Sequence, residues 1–128
     1  MASILIAEDD KAVREFVMRA LRNDGHDVYG VGDGVQALQA LETKRFDMIL
    51  ADIVMPQLDG IALALKVAKD FPDIPVLLMT GYVDEKQRAH NLESLVCEVM
   101  PKPFTLQEIC NTANRILMMH GAGRGRMH

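Results

Sequence analysis

Five short apolar runs alternate with segments whose apolar residues recur every three or four positions, and this alternation constrains the fold more than any other feature. Runs of this length indicate buried strands, and the spacing in the other segments indicates amphipathic helices. Strands that alternate with helices form parallel sheets with right-handed crossovers, so we predict an α/β domain with a five-stranded parallel sheet and helices on both faces. The predicted strands are residues 3–7, 26–31, 46–52, 76–80 and 96–100.

The helical periodicity predicts five helices, at residues 11–24, 35–43, 60–69, 82–95 and 106–119. Thr105 and Glu108 form a capping-box pattern at the start of the last helix. The helix at 82–95 has few apolar residues, so we expect it to be the least firmly packed. We expect a domain over residues 1–119 and a flexible tail over residues 120–128. The residues expected to face the core are Val13, Phe16, Val17, Ala20, Leu21, Val35, Leu38, Leu41, Ile61, Ala64, Leu65, Ala68, Leu106, Ile109, Cys110, Ala113, Ile116 and Leu117.

Charge and composition exclude several classes of function. The net charge of −4 over 128 residues argues against generic nucleic-acid binding. No apolar run approaches the roughly 18 residues that span a membrane. No signal-peptide pattern precedes the first strand, so we expect a cytoplasmic protein. Cys97 and Cys110 lack metal-ligand spacing, which predicts two buried thiols in a reducing compartment.

Polar residues follow four of the predicted strands at their carboxyl ends. They are Glu8-Asp9-Asp10 after the first strand, Asp52 at the end of the third, Thr80 at the end of the fourth and Lys102 after the fifth. In a doubly wound sheet with strand order 2-1-3-4-5, ligands bind at the carboxyl ends, where the first and third strands lie side by side. We therefore expect these side chains to converge on one crevice.

The residue types in this crevice suit phosphoryl chemistry. Clustered carboxylates need a cation, and oxygen ligands with room for water suit Mg²⁺. Lys102 can screen the charge of a phosphoryl group that arrives on Asp52, and the Thr80 hydroxyl can donate to a phosphoryl oxygen. A carboxylate nucleophile of this kind forms an acyl phosphate.

Two acidic features also have purely structural explanations. Alone, Glu8-Asp9-Asp10 is typical of a solvated helix start, because acids favour helix N-termini. Together with the other strand-end residues it favours a metal site, with Asp10 as a helix cap. We interpret Asp59-Gly60 as a turn and helix start.

Over about residues 3–118 the chain resembles two-component response-regulator receiver domains, which have the CheY-like, flavodoxin-like doubly wound fold. The resemblance implies that Asp52 accepts a phosphoryl group from a histidine kinase or a histidine phosphotransfer protein, with Mg²⁺ as cofactor. The motifs that carry it are Ile4-Leu5-Ile6-Ala7-Glu8-Asp9-Asp10, Asp52-Ile53-Val54-Met55-Pro56, Asp59-Gly60, Thr80-Gly81 and Lys102-Pro103-Phe104.

The resemblance also implies a role for each site residue. Thr80 would be the switch hydroxyl and Lys102 the phosphate-sensing ammonium, with a cis peptide bond between Lys102 and Pro103. The implied metal ligands are Asp9 and Asp52 directly, Glu8 through water, and the main-chain carbonyl of Val54.

Within the family, the first two motifs and Met79-Thr80-Gly81-Tyr82 resemble the stand-alone alphaproteobacterial regulators of the CpdR type. This implies control of cell-cycle proteolysis through the ClpXP protease, with the unphosphorylated form active. Output would be a protein contact on the face made by the helix at 82–95, the fifth strand and the last helix. A motility-type regulator, a phosphorelay intermediate and the receiver part of a larger protein are alternatives.

Two residues on that face depart from the family pattern. Val99 lies three residues before the lysine, where the family usually has a Tyr or Phe that moves with the switch threonine. Pro101 lacks a backbone donor, so we expect it to shorten or free the edge strand.

A magnesium-dependent phosphohydrolase that uses Asp52 as a transient nucleophile is the competing interpretation. It needs a second acid two residues after the nucleophile, where Val54 stands, and a substrate cap, for which the chain has no insertion. We therefore expect only self-phosphorylation and self-dephosphorylation rather than enzymatic turnover.

Overall fold

The computed structural model describes residues 2–81 and 98–125, with side chains up to residue 120. The elements in chain order are β1 Ser3–Ala7, α1 Lys11–Asn23, β2 Asp27–Val31, α2 Gly34–Thr43, β3 Met48–Asp52, α3 Gly60–Asp70, β4 Val76–Thr80, β5 Glu98–Pro101 and α4 Leu106–Gly125. The helix predicted at residues 82–95, with its expected loose packing, lies outside the described residues, as does Cys97. No described helix is long and apolar enough to cross a membrane.

The five strands form one parallel sheet in the order β2-β1-β3-β4-β5, which confirms the predicted fold. One apolar cluster lies between the sheet and helices α2 and α3, and a second lies between the sheet and helices α1 and α4. Along β1, Leu5 belongs to the first cluster, whereas Ile4 and Ile6 belong to the second. Covering both faces explains why the central strands are apolar throughout rather than alternating.

Carboxylates and hydroxyls cap the described helices. Asp10, Asp33 and Asp59 each accept a hydrogen bond from a backbone N–H in the first turn of the helix that follows. Thr105 and Glu108 form the predicted capping box, with reciprocal bonds of 3.0 and 2.8 Å. These caps place the start of each helix close to the carboxyl ends of the strands.

The burial predicted for four apolar helix residues is wrong. In α2 and α3 the sheet is contacted instead by Ala37, Ala40, Leu63 and Val67, which are buried. A periodic apolar stripe is wider than the part of a helix that contacts a sheet, so residues at its margin stay in solvent. The exposed residues are Phe16 at 41%, Val35 at 43%, Leu65 at 46% and Leu106 at 51%.

The last strand and the last helix differ from their predicted bounds. Pro101 is the final residue of β5, which pairs only with β4, so its missing N–H falls at the end of an edge strand. Val99 packs against the cluster under α2 and α3. Helix α4 continues to Gly125, six residues beyond the predicted end at residue 119, and the division into domain and tail stays a prediction.

Candidate functional site

The predicted site residues lie at the carboxyl edge of the sheet. Ala7 pairs with Ala51, so Glu8 and Asp52 come directly after paired positions on adjacent strands. Asp52 is itself paired with Met79, the residue before Thr80. The backbone N–H of Lys102 donates to the Thr80 carbonyl at 2.7 Å and so continues the ladder beyond β5. The sheet therefore brings the four strand ends into one layer.

Lys102 joins two buried carboxylates at the centre of this layer. Its Nζ lies 2.9 Å from Glu8 Oε1 and 3.0 Å from Asp52 Oδ2. Glu8 is fully buried and Asp52 is 7% exposed, so both need partners to remain ionised. One ammonium between two carboxylates leaves a net negative charge when both are ionised.

Main-chain donors bind the remaining oxygens of the same carboxylates. The Asp10 N–H donates to Glu8 Oε2 at 3.1 Å, and the Val54 N–H donates to Asp52 Oδ1 at 3.4 Å. Each carboxylate thus has Lys102 on one oxygen and a backbone N–H on the other. These contacts hold both groups in a defined orientation without excluding solvent from Asp9, which is exposed.

Burial and charge act in opposite directions on the two central groups. Burial raises the pKa of Glu8 to about 7, with the charge of Asp52 acting in the same direction against the hydrogen bonds from Lys102 and Asp10. Burial acts to lower the pKa of Lys102, but the hydrogen bonds to Glu8 and Asp52 and the charges of these carboxylates together outweigh it and raise that pKa. Lys102 is therefore charged at neutral pH, and a nearby cation would favour the ionised form of Glu8.

The donor set fits Mg²⁺. Glu8, Asp9 and Asp52 each offer a carboxylate oxygen, and these oxygens lie within 4.8 Å of one another. Hard oxygen donors on an exposed edge, with room for water, are the ligands that this ion prefers. The Val54 N–H donates to Asp52 Oδ1, so this residue lies at the same edge, and it is 45% exposed. The individual roles expected for these residues stay predictions.

Two further predictions concern the loops around the site. The Lys102–Pro103 peptide bond is cis, as predicted. Gly60 lies so close to β3 that a Cβ there would be 2.3 Å from the carbonyl oxygen of Asp52. Only glycine permits this approach, which sets the start of α3 against the end of β3. This confirms the structural interpretation of Asp59-Gly60.

One contact at the site has no counterpart in the sequence analysis. Arg14, in α1, donates from Nη1 to the main-chain carbonyl of Glu8 at 2.7 Å. A backbone acceptor leaves no mark in the sequence, and the only signal is an arginine early in the helix that follows the acidic run.

Comparisons with known proteins agree with this geometry. Residues 4–114 match the model of the response regulator receiver domain. The chain is 33% identical over 118 residues to the response regulator receiver protein CpdR of Brucella abortus, covering 92% of this chain and 98% of CpdR. It is 35% identical over 106 residues to the response regulator MprA of a Mycobacterium species, but spans only 46% of that protein.

A solved structure shows the same architecture. The receiver domain of the Francisella response regulator 1452 superposes with a TM-score of 0.84 at 28% identity, covering 93% of this chain and 98% of that domain. Receiver domains are signalling domains of two-component systems that bind Mg²⁺ in an acidic pocket and interact with histidine kinases or phosphotransfer proteins. The predicted resemblance is confirmed, and the chain belongs to the family of response regulator receiver domains.

Proposed function

We propose that this protein is a single-domain response regulator in which Asp52 accepts a phosphoryl group from a phosphohistidine. The observation that carries the proposal is the bridge from Lys102 to both Asp52 and Glu8, beside the exposed carboxylate of Asp9. Asp52 would be the nucleophile and Lys102 the ammonium beside it, and the carboxylates of Glu8, Asp9 and Asp52, whose oxygens lie within 4.8 Å of one another, would bind the cation. Acyl-phosphate chemistry needs these three parts together.

In the proposed transfer, an Asp52 oxygen forms a bond to phosphorus while the bond from phosphorus to the donor imidazole breaks. The imidazole nitrogen keeps the electron pair of that bond. Lys102 and the Thr80 hydroxyl would bind phosphoryl oxygens, and Mg²⁺, when bound, would neutralise part of their charge. The residues that would hold Mg²⁺ are Asp9 and Asp52 directly, Glu8 through water, and the main-chain carbonyl of Val54.

An apolar groove beside the site suits the phosphodonor protein. It has a volume of about 310 Å³ and is lined by Val13, Phe16, Pro103 and Phe104 next to Lys102. Phe16 is 41% exposed, and its ring centroid is 6.4 Å from that of Phe104. An exposed aromatic ring next to a reactive group is typical of an interaction surface. The histidine-bearing segment of a kinase or phosphotransfer protein would dock there.

For output, the likeness to CpdR over nearly its whole length supports control of regulated proteolysis through protein contacts. The described part of the proposed output face includes β5 and α4, joined by an ion pair of 2.8 Å between Glu98 and Arg115. Both side chains are partly exposed, at 34% and 54%, so a partner can reach them. Phosphorylation of Asp52 would change the affinity of this face for its partner.

Phosphorylation is tested by intact mass after incubation with Mg²⁺ and a small phosphodonor. We expect wild type to gain the mass of one phosphoryl group, and neither Asp52→Asn nor wild type in excess EDTA to do so. An equal gain in Asp52→Asn would contradict the proposal.

Output is tested by retention of a purified ClpXP-type protease on immobilised protein. Asp52→Ala and phosphorylated wild type should retain different amounts. Equal retention of the protease by the two forms would refute the proteolysis proposal while leaving phosphorylation intact.

A further inference from the structure

Arg14 lies at the point where β1 leaves the sheet and the acidic residues begin. Its Nη1 donates to the Glu8 carbonyl at 2.7 Å, while the Glu8 N–H donates to the Val31 carbonyl at 3.0 Å. Both main-chain polar groups of Glu8 are therefore bound, one by β2 and the other by α1. The peptide that links Glu8 to Asp9 is held in orientation by the arginine.

The surroundings leave a path for this side chain. A Cβ at Gly30 would lie 3.3 Å from Arg14 Cδ, and a Cβ at Gly32 would lie 3.7 Å from its Nη1. In the described part of the chain Arg14 forms no ion pair with a carboxylate. Its contact with the site is therefore made through a main-chain carbonyl and not through a carboxylate.

We propose that Arg14 is a positioning residue that holds the Glu8–Asp9 peptide so that both carboxylates converge with Asp52 on one divalent cation. The inference rests on the metal site of the proposed function. Groups that orient metal ligands without touching the metal commonly change affinity by tenfold or more when removed.

The direction in which cation affinity changes when Arg14 is replaced distinguishes a positioning role from a purely electrostatic one. Removing a positive charge near a cation site strengthens cation binding if charge alone acts. Loss of the carbonyl contact instead loosens the Glu8–Asp9 peptide and weakens binding. Arg14→Met retains the alkyl stem next to Gly30, and Arg19→Met removes the same charge from an exposed position on the same helix.

The test measures Mn²⁺ affinity from the electron paramagnetic resonance signal of the free ion, with Mn²⁺ in place of Mg²⁺. Arg14→Met should bind Mn²⁺ about tenfold more weakly than wild type. Arg19→Met should bind it as tightly as wild type or more tightly. The Asp10 N–H, which donates to Glu8 Oε2, should exchange its hydrogen faster in Arg14→Met, in which that segment is less constrained.

Affinity in Arg14→Met equal to or above that of wild type would overturn the inference and leave the proposed function standing. A wild type that binds no Mn²⁺ would overturn both. Urea unfolding establishes that each variant is folded. If Arg14→Met is not folded, Arg14→Leu, which likewise has no donor for the Glu8 carbonyl, takes its place, and Mn²⁺ affinity as high as that of wild type together with unchanged exchange at Asp10 would count against the inference.

Discussion

The metal-free protein should lose stability as the pH rises through the range in which Glu8 ionises. Glu8 is fully buried, and burial raises its pKa from the ordinary 4.5 to about 7 in the folded state. Between these values the unfolded chain releases a proton that the folded protein retains, so the free energy of unfolding falls with rising pH. Below about 4.5 this penalty is absent, and above about 7 it is complete.

The difference between the two pKa values corresponds to about 3 kcal/mol, of which about 2.5 kcal/mol falls between pH 5 and pH 8. Glu8→Gln replaces the carboxylate with an amide that has no charge in this range. The free energy of unfolding of wild type should therefore drop by about 2.5 kcal/mol more than that of Glu8→Gln between these two pH values. Lys102 does not contribute, because a raised lysine pKa supplies stability that is lost only at higher pH.

The assay is urea unfolding followed by far-ultraviolet circular dichroism, because the chain has no tryptophan. Wild type, Glu8→Gln and the exposed control Glu15→Gln are compared at pH 5 and pH 8 in EDTA. The control should follow wild type. Equal changes in wild type and Glu8→Gln would refute the reasoning. Mg²⁺ added at pH 8 should stabilise wild type, because the cation offsets the buried charge.

Three further predictions concern the rest of the chain. Gly60→Ala should lower the free energy of unfolding by about 3 kcal/mol, because the added Cβ would overlap a backbone carbonyl of β3. Gly81→Ala is the control, because a Cβ at Gly81 has no atom within 4 Å, and equal urea midpoints for the two variants would contradict this prediction. Gln57 has a φ of 70°, a left-handed backbone conformation that favours glycine, so Gln57→Gly should raise the free energy of unfolding by about 0.5 to 1 kcal/mol. A melting temperature below that of wild type would show that the backbone is not strained at this position. Burial raises the pKa of the Cys110 thiol, so at pH 8 iodoacetamide should react with this thiol much more slowly in the folded protein than in protein unfolded by urea. The reaction is followed by intact mass in a Cys97→Ser background, and equal rates in the two states would show that the fold does not protect Cys110.

The sheet and the position of the site could be predicted because each depends on local sequence patterns. Strand-length apolar runs indicated the strands, and the polar residues that follow them, such as Glu8, Asp52 and Lys102, lie at the carboxyl edge in any parallel sheet. Lys102 reaches both carboxylates although β4 separates β5 from β3, because its side chain extends along the carboxyl edge of the sheet.

Details that depend on tertiary packing could not be predicted in this way. Periodicity cannot determine which side of a wide apolar stripe contacts the sheet, and Val35 and Leu65 therefore proved to be exposed. Arg14 was missed because its acceptor is a main-chain carbonyl, which every residue possesses. The high pKa of Glu8 likewise depends on burial that only the folded protein creates.

The most direct test of phosphoryl acceptance locates the modified residue. Protein treated with Mg²⁺ and a small phosphodonor is reduced with borohydride, which converts an aspartyl phosphate to homoserine, and its peptides are sequenced by mass spectrometry. We predict homoserine at position 52 in wild type and at no position in protein incubated without the phosphodonor. Homoserine at another aspartate with position 52 unchanged, or none after a demonstrated gain of phosphate, would contradict the assignment of Asp52 as the acceptor.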